Sequence, residues 1–235
     1  MLMRMRRLLK RCLNHWKVFG VLHLAVDGLK VLPDAICDLR HLGYLSIHHQ
    51  LPSSFCKLYH LQVLVSTQSG NQHVLGLNHL ISLRHLIPCI YYETIVGIGT
   101  LTSLQELSFP ANVYKMSELK DLKELQELKI DGLKNDKHHE EPPDSLKELK
   151  IRRYQGVRSP CWMGPELLRN LEYVNLKFCS AWEHLPSLGK LPYLKNLRLS
   201  GIDVKKINCE GGFQQLQHLY LFVTMTVMNG KSGLD

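Results

Sequence analysis

The chain has 235 residues, 45% of them apolar and 21% charged, with a formal net charge of +8. This balance excludes a disordered chain, and no run of 18 or more apolar residues occurs that could cross a bilayer as a helix. Leucine alone supplies 44 residues. The seven cysteines (Cys12, Cys37, Cys56, Cys89, Cys161, Cys179 and Cys209) form no CxxC pair, which argues against a zinc site and a disulfide framework and for a reducing compartment.

In chain order, residues 1–17 come first. They are basic (Arg4, Arg6, Arg7, Lys10, Arg11, Lys17), and Leu2, Met5, Leu9 and Trp16 recur at helical spacing. A helix capping the first unit, or a remnant of a longer chain, is favoured over a mitochondrial presequence, a membrane-surface helix or a secretory signal. From residue 18 to 222 one frame repeats: L-x-x-L-x-x-L-x-L, clearest at Leu122, Leu125, Leu128 and Ile130 and again at Leu191, Leu194, Leu197 and Leu199. With the third position as anchor, the series is Leu22, Leu45, Leu64, Leu86, Leu107, Leu128, Leu149, Val174, Leu197 and Leu219, at spacings of 19 to 25 residues. Of the 40 slots in ten copies, 37 are apolar; the exceptions are Ser66, Pro88 and Pro143. Residues 223–235 form an atypical tail. The run from Phe222 to Met228 is apolar and β-prone with no visible cap, as expected of a truncated or alternatively ended product.

A period of 20–29 residues with this frame is the signature of leucine-rich repeats. The predicted fold is an α/β repeat solenoid. It is a horseshoe with a parallel sheet on its concave face and an irregular or short-helical convex side. Each L-x-L is a strand whose leucines point inward and whose intervening residue points out. An amphipathic helical bundle is the rival, but prolines between the anchors disfavour it. Pro88 and Pro110 should weaken strand pairing in the fourth and fifth repeats. Asn135 to Asp144 reads as an exposed loop. Its His138, His139, Glu140 and Glu141 are contiguous, an arrangement that rarely converges on one metal ion. Cys179, with Asp27 and Asn112, falls where such repeats satisfy a turn backbone.

Catalytic and cofactor patterns are absent from the sequence: there is no P-loop, G-x-G-x-x-G, H-E-x-x-H or G-x-S-x-G. The chain reads as a non-enzyme with no cofactor and no metal ligands. Charge is segmented, at +6 over residues 1–100, −3 over 101–150 and +5 over 151–235. The acidic middle argues against a polyanion stripe and hence against nucleic acid. What remains is the outward ladder of the strands. Its candidate partner-binding residues are Tyr44, His48, His85, Glu127, Lys129, Lys150, Arg152, Tyr173, Lys177, Arg198 and Tyr220, a mixture suited to protein recognition.

The later repeats resemble a specific family. Tyr154, Gly156, Pro160 and Trp162 stand as Y-x-G-x-x-x-P-x-W. Leu171 to Cys179 (LEYVNLKFC) and Leu185 to Lys195 (LPSLGKLPYLK) follow the same order, as does Leu32-Pro33 to Leu42 near the start. These segments resemble the repeat region of plant intracellular nucleotide-binding leucine-rich-repeat receptors of the coiled-coil class, the disease-resistance proteins. The resemblance implies a cytoplasmic role in innate immunity. The expected partners are a pathogen effector, a guarded host protein or the receptor's own nucleotide-binding module. That module is absent from this sequence, so no ADP or ATP site carries over, and the chain would be a fragment, a partial product or a decoy. The alternatives are a substrate-recognition subunit of a larger complex and a secreted inhibitor. The latter is disfavoured because no asparagine lies in an N-x-[ST] sequon.

Overall fold

The computed structural model describes residues 11–13, 20–25, 31–66, 76–87, 97–110, 116–133, 142–202 and 211–222. Each L-x-L step of the frame becomes a short strand. The ten are β1 (Val21–Leu24), β2 (Tyr44–Ile47), β3 (Val63–Ser66), β4 (His85–Ile87), β5 (Glu106–Pro110), β6 (Glu127–Asp131), β7 (Glu148–Arg152), β8 (Tyr173–Lys177), β9 (Asn196–Ser200) and β10 (His218–Phe222). They form one parallel sheet in strict sequence order. The anchors are the register: Leu22 pairs with Leu45, Leu45 with Leu64, Leu128 with Leu149, and Val174 with Leu197. A one-residue slip would turn each leucine pair to solvent, so inward burial fixes the alignment.

The L-x-x-L half of the frame also has a backbone cause. The second leucine's N–H donates to the first leucine's carbonyl, closing a tight turn before the strand: Leu42 to Leu39 (3.0 Å), Leu61 to Leu58 (2.9 Å), Leu104 to Leu101 (2.9 Å) and Leu125 to Leu122 (3.0 Å). This explains why Pro143 is tolerated in the first slot of the seventh repeat. Its carbonyl still accepts from Leu146 N–H at 3.1 Å, and an acceptor needs no N–H of its own. On the convex side the return path runs through short 3-10 turns, such as Asp34–Asp38, Phe55–Lys57, Ile98–Thr100 and Leu188–Lys190. Each turn ends on the next repeat's first leucine, whose N–H closes it.

Between sheet and turns lies a continuous column of buried leucines. Each is worth about 1.5–3 kcal/mol when buried, but only a neighbouring repeat supplies the burial. Ser66 fills its inward slot as a buried polar residue, and Pro88 lies outside the described residues. Within the described residues β4 covers three residues and shares two register pairs with β5, and the description ends at Ile87, so the expectation for Pro88 lies outside it. Pro110 differs from expectation: β5 pairs with β6 over five residues, Pro110 included. It stands at the end of its strand, where a missing donor is tolerated.

The motif Tyr154 to Trp162 is internal. Tyr154 and Trp162 are buried, as is Trp182, whose ring centroid lies 5.1 Å from that of Tyr154. Tyr154 donates its hydroxyl to Arg158 O at 2.7 Å. A Cβ at residue 156 would lie 2.3 Å from that hydroxyl oxygen, so only glycine fits under the ring. Cys179 is also buried. Its thiol donates to Lys177 O at 3.4 Å, and burial pushes it up to about 11 against hydrogen bonds to the backbone of Tyr154 and Lys177. It is therefore an inert structural thiol. Asp27, Asn112 and residues 135–141 lie outside the described residues. Pro142 and Pro143, at the end of the expected exposed loop, are buried instead, because Pro143 occupies a core slot of the frame. Of the basic segment 1–17 only 11–13 are described, with Leu13 in the core; residues 223–235 lie outside.

Candidate functional site

The alternation of each strand leaves one residue column just before the anchors and another between them, both on the concave face. Strand pairing then stacks residues from successive repeats within reach of one another. Through the middle of the sheet the first column is Glu106, Glu127 and Glu148, and the second is Ser108, Lys129 and Lys150.

These charges pair across strands. His85 Nδ1 lies 3.1 Å from Glu106 Oε2, and Lys129 Nζ lies 2.6 Å from Glu106 and 3.1 Å from Glu127. Lys150 bonds Glu127 and also Glu148, the latter at 3.1 Å. Burial pushes the Glu106 carboxyl up, but hydrogen bonds from Lys129 and His85 outweigh it and hold the group below its ordinary value. Burial likewise depresses Lys129 and Lys150, and their carboxylate partners more than restore them, raising both ammonium groups. The outward glutamates of this column are therefore held by the lysines of the column beside it.

Beyond β7 the arrangement changes. Lys150 Nζ sits 5.2 Å from the Tyr173 ring centroid, and Arg198 lies over the Tyr220 ring at 4.4 Å. Arg152 and Lys177 are paired in register, exposed, and hold no carboxylate among the described residues. Arg152 instead rests 5.6 Å from the Phe178 ring centroid.

Its register neighbour Asp131 is taken by Arg153 through two hydrogen bonds, at 2.7 and 2.6 Å. Arg153 and Phe178 follow β7 and β8 at φ of 53° and 56°, a left-handed position that Gly132 and Gly201 fill after β6 and β9. Each of the four N–H groups donates to the last carbonyl of the next strand. The requirement for this bond imposes the conformation, at a cost of about 1 kcal/mol or more for a non-glycine residue.

Over β5 to β8 the concave face holds a groove of about 290 Å3. Lys129, Lys150 and Asn175 line one row of it, and Asp131, Arg152 and Lys177 the other. Asn175 is 9% exposed. Its Nδ2 donates to the Tyr173 hydroxyl at 3.3 Å, while its Oδ1 is buried without a partner.

The candidate ladder thus divides three ways. His85, Glu127, Lys129 and Lys150 join one ion-pair chain. Arg152, Tyr173, Lys177, Arg198 and Tyr220 form a cationic and aromatic stretch. Tyr44 and His48 stand apart toward the other end, where the His48 ring packs edge-on against His23 at 6.0 Å. Ser46 and Asn175, expected to face solvent, are buried between longer neighbours on the concave side. Sequence reasoning missed Asp131, Arg153 and Phe178. Extending the frame one residue past its last slot would have found Asp131, but nothing in the sequence marks the left-handed positions. Among the described residues no group of three or more His, Cys, Asp or Glu is placed to hold a metal, the cysteines are free thiols, and no helix is long and apolar enough to cross a membrane.

Comparison with known proteins places this geometry. A family model described as "Leucine-rich repeat region" matches residues 13–232. RPP13-like protein 3 of Arabidopsis thaliana, which carries a disease-resistance name, is 31% identical over 92% of this chain. Disease resistance RPP13-like protein 4 of the same plant is 27% identical over 63%. The chain spans 28% and 23% of the lengths of these two relatives. Among solved structures, internalin C2 of Listeria monocytogenes superposes with a TM-score of 0.60 at 20% identity, over 83% of this chain and 84% of that one. A second internalin of that bacterium gives 0.52 at 17%, over 86% and 68%. At those identities the internalins show the fold alone. The chain belongs to the leucine-rich-repeat family, and its repeats are related to those of plant disease-resistance proteins.

Proposed function

We propose that this chain is the recognition region of a plant immune receptor of the nucleotide-binding leucine-rich-repeat type, acting in the cytoplasm and binding a pathogen effector or a modified host protein on its concave face. The observation that carries this reading is the ladder itself. A rigid leucine register holds outward residues that change in chemistry from one repeat to the next. A surface of fixed spacing and varied side chains discriminates among protein partners without a catalytic group. The relationship to disease-resistance repeats supplies the context, and the receptor's nucleotide-binding module is a further partner the reading allows. The test is co-precipitation from plant cytosol with and without a pathogen, using the chain and its Tyr173→Ala, Lys177→Ala, Arg198→Ala triple variant. A partner bound by the first and released by the second, with unchanged circular dichroism, is the expected result. Equal capture by both would reject the concave face as the recognition surface.

A further inference from the structure

The concave face carries two kinds of charge, and only one kind is spoken for. From β4 to β7 the carboxylates of Glu106, Glu127 and Glu148 are engaged by Lys129 and Lys150, with His85 at the end of the run. Asp131 is engaged by Arg153. That leaves Arg152 and Lys177, paired in register, and Arg198, in register with Asn175, without a carboxylate partner among the described residues. Asn175 sits at their centre. It is two residues before Lys177 on the same face of β8 and in register with Lys150 on one side and Arg198 on the other. Its buried Oδ1 has no hydrogen-bond partner. A buried acceptor left unpaired is costly, and a ligand that supplies a donor recovers that cost.

We propose that the β7–β9 part of the concave face docks an acidic, extended segment of a protein partner. Arg152 and Lys177 take a carboxylate at the rim of the groove, and the Asn175 amide takes a main-chain N–H at its floor. This inference rests on the concave face being the recognition surface and names the chemistry it selects. Three features fit this occupant. The cations are few and local, flanked upstream by charges that already pair with one another, so they form no continuous basic stripe for a long polyanion such as nucleic acid. Arg152 and Arg198 are propped on the rings of Phe178 and Tyr220, which holds their guanidinium groups in place before binding. Asn175 lines the groove itself, and its unpaired amide oxygen offers an acceptor to a peptide N–H.

The test is fluorescence anisotropy on the full 235-residue chain with three labelled peptides in one Gly/Ser context, carrying six glutamates, six glutamines or six phosphoserines. The glutamate peptide should bind at least about tenfold more tightly than the glutamine peptide. Arg152→Glu with Lys177→Glu should remove about a factor of ten or more, since charge pairs at an interface are worth that much. Asn175→Leu, which changes no charge, should weaken binding about threefold or more. Lys57→Glu, on the convex side, should leave binding unchanged. Equal binding of the glutamine peptide, or equal losses from Lys57→Glu and from the rim pair, would reduce the effect to general charge and overturn the proposal. Capture of the phosphoserine peptide with no binding of the glutamate peptide would overturn the carboxylate assignment. Because Arg152 and Lys177 are exposed, their variants keep the test open even if Asn175→Leu misfolds. A partner released by Tyr44→Ala and His48→Ala but indifferent to the β7–β9 variants would leave the recognition reading standing and reject this one.

Discussion

Two stretches of the same sheet use charge in opposite ways. From β4 to β7 every outward carboxylate of the first column meets a lysine or histidine of its own or a neighbouring strand, so this surface satisfies itself. Past Lys150, from Arg152 to Arg198, the outward cations lie on aromatic rings or face solvent, and a buried amide oxygen has no donor. Backbone geometry is the same in both, a parallel ladder in unbroken register. The difference therefore lies entirely in which residues fill the outward slots. A solenoid can close part of its inner face to partners and leave another part open without changing its fold.

The largest perturbation should come from beneath the open stretch. Trp162→Ala removes a fully buried indole of the segment between β7 and β8, and should cost about 3–5 kcal/mol in urea denaturation. Loss of less than about 1 kcal/mol would mean that this indole adds little to the core beneath the open stretch.

A smaller effect is expected from the closed stretch. Lys129→Met leaves Glu106 and Glu127 with one partner fewer, and since these groups are partly solvated the loss should stay near about 1 kcal/mol. Its pH dependence is directional. Glu106 is held below its ordinary 4.5, so its contribution is present above that value and is lost as the pH falls through the depressed one. Lys129 and Lys150 are held above their ordinary 10.5, so their contribution is present below it and is lost as the pH rises through the raised values. The ladder's stability should be flat between these limits and fall on both sides. In Lys129→Met the acid-side fall should shrink. An unchanged acid limb would show that Lys129 does not stabilise the Glu106 carboxylate.

The smallest stability effect sharpens the contrast most. Arg152→Ala together with Lys177→Ala should shift the midpoint by no more than about 0.5 kcal/mol, because neither side chain holds a carboxylate within the described fold. A loss as large as that of Lys129→Met would mean that the open cations are structural after all.

Much of this was legible in the sequence. The series from Leu22 to Leu219 is the sheet register, because an inward leucine every repeat can be buried only against its equivalent in the next. The family resemblance was also legible, although the residues that carry it, Tyr154, Gly156, Trp162 and Cys179, turn out to build the core rather than a binding surface. Period-two alternation puts the outward residues on one face, but does not fix which of them stay exposed: Ser46 and Asn175 are buried between longer neighbours.

Sequence by itself determined the repeat and the alternation that turns one residue in two toward the core, because these follow from hydrophobic spacing alone. Only the tertiary structure decided which charges meet. Lys129 reaches Glu106 across 23 residues of chain, and Arg153 reaches Asp131 from a left-handed turn set by a backbone bond to the next repeat. The same stacking placed Asn175 between Lys150 and Arg198. Pairing of this kind depends on distances between repeats, which exist only once the repeats have stacked.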